Sequence, residues 1–158
     1  MKNFIILFCI FIVSCTCKAE SLDKSLTCLA KNIYFEARAK KEPVAGKFAV
    51  GFVTMNRVKD SRFPNTICKV VKQAKIKNGK LVKNQCHFSW YCDGKSDIPY
   101  NRKEYYKAYK IAMIILFNKP FDFTQGATHY HNTGVKPYWI KDVEHIDIIG
   151  SHIFYRWN

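Results

Sequence analysis

The sequence predicts an α+β domain, mainly helical, with its helices first and short strands last. Three observations carry this. Apolar residues recur at helical spacing from Leu26 to Leu116, Asn78-Gly79 stands between alternating lysines and apolar residues, and the last thirty residues turn to period-two patterning.

The elements follow in order. Leu26, Leu29, Ala30, Ile33 and Ala37 share one helical stripe, with Ser25 or Asp23 as candidate N-cap, and Glu36 lies close in angle to Leu29. This first helix brings Glu36 to the rim of the core. Pro43 opens a second helix, and Val44 to Val58 is apolar nearly all round, so it is expected to be central and buried until Asn56 and Arg57 interrupt it. A short third helix follows Phe63-Pro64-Asn65, with Ile67, Val70, Val71 and Ala74 on one face. Lys75 to Lys83 reads as a basic hairpin turning at Asn78-Gly79. Tyr105, Tyr109, Ala112, Met113 and Leu116 give a long fourth helix closed by Asn118-Lys119-Pro120. Extended structure is expected over Ala127 to Asn132 and His152 to Trp157, the latter with Ile153, Tyr155 and Trp157 alternating, and a turn at Thr133-Gly134.

Composition bounds the class. The 158 residues, 48% hydrophobic and 15% aromatic, suffice for one core and do not describe a disordered chain. Lys and Arg number 26 against 12 Asp and Glu, a net charge of +14 that favours a polyanionic partner: nucleic acid, a membrane surface or a bacterial wall. Met1-Lys2-Asn3 and the apolar run Phe4 to Val13 have the plan of a secretory signal, too short to span a bilayer. Residues 1–19 are therefore read as the signal and 20–158 as the exported domain. Ile12-Val13-Ser14-Cys15 also resembles a lipoprotein signal ending before Cys15. Cleavage after Ala19 leaves Cys28, Cys68, Cys86 and Cys92, an even set suited to two disulfides, whereas lipidation at Cys15 strands Cys17 as an odd thiol. Three connectivities are open.

The segments Asn32-Ile33-Tyr34-Phe35-Glu36-Ala37-Arg38, Glu42-Pro43-Val44-Ala45-Gly46-Lys47, Asn56-Arg57-Val58, Arg62-Phe63-Pro64, Phe88-Ser89-Trp90, Cys92-Asp93-Gly94, Gly126-Ala127-Thr128-His129-Tyr130-His131 and Ile149-Gly150-Ser151-His152-Ile153-Phe154-Tyr155 resemble, in register, the SleB-type (spore-cortex-lytic) cell wall hydrolase family. The resemblance implies a lysozyme-like fold, attack on the sugar backbone of peptidoglycan, and a catalytic glutamate in the Glu-Ala-Arg motif, here Glu36. Members that are lytic transglycosylases cleave between N-acetylmuramic acid and N-acetylglucosamine and leave an anhydromuramic end. Two departures stand out: Ala39-Lys40-Lys41 lengthens the loop after Glu36, and His87 precedes Phe88-Ser89-Trp90 where the family commonly has Gln.

The chemistry can be argued without the family. Breaking a glycosidic bond needs an acid that keeps its proton near neutrality, and a carboxyl at the border of core and cleft meets that need. A hydrolase of the usual type adds a second carboxylate, yet Glu42, Asp93, Asp97 and Asp122 stand in no compelling context. A transglycosylase needs none, because the muramic C6 hydroxyl attacks within the same strand. Ser89, Tyr130, His131 and Asn132 are candidates for orienting the sugar amide or stabilising charge, Asn56 and Arg57 for lining the site, and Trp90 or Trp139 for stacking on a sugar ring. The expected partners are peptidoglycan glycan strands and an anionic wall or membrane surface. No nucleic acid, metal or organic cofactor is expected, and the chain is expected to be a monomer.

Plainer readings compete. Glu36 is also placed to pair with Lys40 on the helix surface, Asn56 and Arg57 to cap a helix, and the aromatic pairs to fill a core. Three other functions fit parts of the chain: a muramidase-type hydrolase using the same glutamate, a zinc wall peptidase built on His129 and His131 with His87, His145 or His152, and a cationic binding protein without catalysis.

Overall fold

The computed structural model describes residues 20–38 and 42–157. The signal segment with Cys9, Cys15 and Cys17, and the Ala39-Lys40-Lys41 insertion, lie outside these residues.

Helix α1 spans Leu22–Glu36 and buries Leu26, Leu29, Ala30 and Ile33, as its stripe requires. Its cap is Ser21, whose hydroxyl accepts the Lys24 N–H, and not Ser25 or Asp23. Ser25 sits one turn inside the helix and donates to Glu20 at 2.8 Å. Helix α2 spans Val44–Lys59 behind Pro43 and is fully enclosed from Ala49 to Thr54, while Val44 and Ala45 at its start face solvent. It runs close to its neighbours at Gly51, where an added Cβ would stand 2.4 Å from Ile115 Cδ1 and 3.2 Å from Ile33 Cδ1.

Helix α3, Ile67–Val71, is capped by Thr66 and tied to α1 by the Cys28–Cys68 disulfide. Ala74 does not extend it, but opens β1, Ala74–Lys77, which pairs antiparallel with β2, Lys80–Cys86. Asn78 and Gly79 both take positive φ (50° and 72°), the requirement of a two-residue turn that matches strand twist. A second disulfide, Cys86–Cys92, then closes a short loop around a 3-10 helix at Ser89–Cys92. Helix α4, Arg102–Met113, continues as a π-helix over Ile114–Asn118 and stops at Lys119 in the left-handed region. Ala108, Ile111, Ala112 and Ile115 are buried against α1 and α2, whereas Met113 faces outward, against the expected stripe.

The C-terminal sheet has the order β3-β5-β4, all antiparallel: β3 His129–Asn132, β4 Glu144–Ile149 and β5 His152–Arg156. Strand β4 was not foreseen. It is a largely exposed edge strand, so its residues carry little of the alternation that marks a buried face. In β5 the fully buried residue is Phe154, which packs with Ala49, Val53 and Ala127, and not the Ile153-Tyr155-Trp157 set. Tyr155 is buried on the other face by His131 and Trp139, and Trp157 is exposed. Both faces of β5 are therefore covered over part of its length, which defeats a simple alternation rule.

Glu42 anchors this sheet to the start of α2. Its buried carboxylate accepts from the Ser151 hydroxyl and from the Ser151 backbone N–H (3.3 Å), and lies 3.7 Å from His152 Nδ1. Gly150, at φ 62°, admits the carboxylate where a Cβ would meet it at 2.3 Å.

Candidate active site

Glu36 is the last residue of α1 and is partly exposed. The end of that helix is fixed from α2, where the Lys47 ammonium donates to the Ala37 carbonyl at 2.9 Å. Three other segments converge on the Glu36 carboxyl. The Tyr130 hydroxyl donates to Oε2 at 3.0 Å, the Ser89 backbone N–H donates from the 3-10 helix, and the Arg57 guanidinium acts from the end of α2. Desolvation outweighs these charge-stabilising contacts and raises the Glu36 pKa from 4.5 to about 7. The charged groups that act most strongly on Glu36 are the cations Arg57 and Arg38. Tyr130 is driven well above its ordinary value, first by burial and then by Glu36, so its hydroxyl is a standing donor.

Arg57 is 5% exposed. Its Nε donates to the Thr128 carbonyl at 2.7 Å, and its Cζ lies 4.8 Å from the Phe88 ring centre and 5.2 Å from that of Phe63. Its Nη1 has no hydrogen-bond partner among the described residues. Burial pulls the Arg57 pKa down while Tyr130 and Glu36 push it up. A guanidinium stays cationic in such surroundings, so Glu36, once deprotonated, is left beside a fixed positive charge.

The remaining sequence candidates divide by what they touch. Ser89 contributes its main chain to Glu36 while the residue itself is exposed. Trp90 is not a sugar platform: it is buried, stacked on Phe35 at 4.7 Å, and its indole N–H donates to Asn32 Oδ1 at 2.9 Å. Asn32 in turn donates to Thr54 at 3.0 Å, and Thr54 to the Val50 carbonyl. This buried chain pins the 3-10 helix onto α1 and α2 behind Glu36.

Asn56 braces a loop. It donates to Asp122 (2.8 Å) and to the Ala127 carbonyl (3.1 Å), fixing the loop that leads into β3 and so to Tyr130. His131 is buried with Nδ1 against the Asn132 carbonyl and Nε2 against the Tyr155 hydroxyl, both at 2.9 Å. Asn132 is exposed and caps the turn at Gly134. Trp139 packs among His129, His131 and Tyr155. Burial, with Arg57 next, pushes His129 down to about 4, so it is neutral at neutral pH.

The sequence reading missed Asn32, Thr54 and Arg38. Asn32 had a usable signal, a polar residue beside Ile33 in an apolar stripe. Arg38, placed over the Phe35 ring at 5.7 Å, had none beyond its place in the Glu-Ala-Arg segment. Three of the four acids considered as a second carboxylate are engaged elsewhere: Glu42 with Ser151, Asp122 with Thr124 and Gly126, and Asp93 with the Lys95 N–H. Asp97 has its pKa raised by desolvation and feels Lys31, Asp93 and Lys72.

Comparison with known proteins finds relatives of this fold. The chain is similar to the catalytic domain of the germination-specific lytic transglycosylase SleB from Bacillus anthracis, with 27% identity over 88% of this chain and 98% of that one and a TM-score of 0.66. It is also similar to the catalytic domain of the Bacillus cereus SleB protein, with 26% identity over 88% and 94% and a TM-score of 0.60. No curated protein matches the chain. The family described as Cell Wall Hydrolase matches residues 41–155, a span that begins just after Glu36 and holds Arg57, Ser89 and Tyr130. By that match over most of its length, the chain belongs to the cell wall hydrolase family, and its fold is that of the SleB catalytic domains.

Proposed function

We propose that this protein cleaves the glycan strands of peptidoglycan as a lytic transglycosylase, with Glu36 as the one acid and base. The observation that carries the reading is a sheltered carboxyl, with a pKa of about 7, hydrogen-bonded to Tyr130 and facing the charges of Arg57 and Arg38.

Glu36 protonates the oxygen that joins muramic acid C1 to the next sugar, and that C–O bond breaks as positive charge grows on the muramic ring. The carboxylate left behind is stabilised by the Tyr130 hydroxyl, the Ser89 N–H and the Arg57 charge, each already in place. The muramic C6 hydroxyl then attacks C1 and returns its proton to Glu36. One C–O bond has broken, one has formed, no water is consumed, and Glu36 is restored.

A muramidase would need a second carboxylate about 5–9.5 Å from the first, to act as nucleophile or to activate water. The engagement of Glu42, Asp93 and Asp122 elsewhere weighs against it. The name of the Bacillus anthracis domain, a lytic transglycosylase, supports the same choice. The two disulfides support export, since such bonds persist in oxidising compartments.

Mass spectrometry of fragments released from purified sacculi tests the reading. Anhydromuramic ends are expected. Reducing muramic ends would convert it to hydrolysis, and release of peptides alone would overturn it.

A further inference from the structure

The outward face of α4 and of the π-helix that extends it carries a pattern the proposed reaction does not use. Lys103, Tyr106, Lys107 and Lys110 are exposed along the helix. Met113, Ile114 and Phe117, 42%, 39% and 53% exposed, follow at its end, and Phe121, 83% exposed, stands just beyond Lys119. Met113, Ile114 and Phe117 line a shallow depression of about 370 Å³ with Lys110 and Asn118. The opposite face of the same helix is buried on α1, so this face is left without a partner inside the fold.

Charge says what covers it. From Arg102 to Phe121 there are five basic residues and one acid, Glu104, which is already paired with Lys107 at 2.7 Å and lies 3.7 Å from Lys47. A polyanionic sugar or wall polymer would complement the lysines but leave four large apolar side chains in water. A second copy of the chain would bury the apolar tip but, in a two-fold contact, set lysine against lysine. A bilayer interface rich in anionic headgroups satisfies both, with lysines among the phosphates and the apolar tip at the acyl boundary.

We infer that the tip of α4, with Met113, Ile114, Phe117 and Phe121 leading and Lys103, Lys107, Lys110 and Lys119 behind, docks on the surface of an anionic phospholipid membrane. The surface is separate from Glu36, so the inference stands or falls apart from the proposed chemistry.

The test places a reporter at the tip. Phe117→Trp, made in the full chain, is mixed with vesicles of phosphatidylglycerol and phosphatidylcholine, or of phosphatidylcholine alone, some containing brominated acyl chains. A blue shift and bromine quenching beyond those of the parent protein are expected with anionic vesicles, and weak or no response with neutral ones. The double variant Lys107→Glu/Lys110→Glu, in the Phe117→Trp background, should lose the response at least tenfold in lipid concentration. Lysis of sacculi by the Phe117→Trp protein should equal that of the parent, which also shows that it folds. No added quenching in anionic vesicles, quenching that ignores the charge reversal, or a blue shift that depends on protein concentration without lipid would each overturn the inference.

Discussion

At the residue scale, the proposed reaction turns on the Glu36 proton. Because the acid must be protonated to act, kcat/KM should be level below pH 7 and fall about tenfold per unit above it, as read from initial rates on sacculi. Glu36→Gln should lower the rate by about 10²–10⁴-fold. The same substitution should leave the protein more stable, and the sign follows from linkage. The folded pKa of about 7 lies above the ordinary 4.5, so folding holds the proton more tightly, and stability contributed by this group is full below pH 4.5 and falls as pH rises toward 7. Gln removes that penalty, so its gain in melting temperature should be clear at pH 8 and vanish near pH 4.5. Arg57 lowers the Glu36 pKa, so Arg57→Gln should move the alkaline limb of the pH profile to higher pH as well as lower the rate. The place of Glu36 at the border of the core was legible because a carboxylate at the edge of an apolar stripe is conspicuous. The roles of Trp90 and Asn56 were not, because residue type does not reveal whether a polar tip meets substrate or a buried partner 58 or 71 positions away.

At the element scale, the site depends on how four segments are held against one another. The Cys86–Cys92 bridge closes a short loop around the 3-10 helix that offers the Ser89 N–H to Glu36. Opening it with Cys86→Ser and Cys92→Ser should cost about 2 kcal/mol of stability, against about 4 kcal/mol for the Cys28–Cys68 pair with its separation of 40 residues, by loop-closure entropy. Activity of the still-folded protein should rank the other way, with the Cys86–Cys92 variant losing more kcat; urea unfolding and turnover on sacculi separate the two. The helices and the Asn78-Gly79 hairpin were legible because caps, turn residues and the 3.6 period are local. The edge strand β4 and the face of β5 were not, since they are set by packing of Phe154 on α2 and of Tyr155 under Trp139, contacts that no local pattern encodes.

At the scale of the whole molecule, Tyr130 packs against both the large helical core and the smaller one between α2 and the sheet, so its hydroxyl reaches Glu36 only when the two are assembled. Under the proposed function, the net charge of +14 adds a long-range attraction to an anionic wall. Raising salt from about 0.1 to 1 M shortens screening from about 10 to about 3 Å, so KM for intact sacculi should rise several-fold with kcat little changed. Family and fold class were legible across nearly the whole chain after residue 19, from motifs that recur in order; the disulfide pairing was not, because four cysteines in line do not say which approach in space. All of this turns on whether folding holds a proton on Glu36. The direct measurement is a carbon-13 NMR titration of the glutamate carboxyls, with the Glu36 signal identified by its loss in Glu36→Gln. A midpoint of about 7 is expected; a midpoint at or below the ordinary 4.5 would contradict the account.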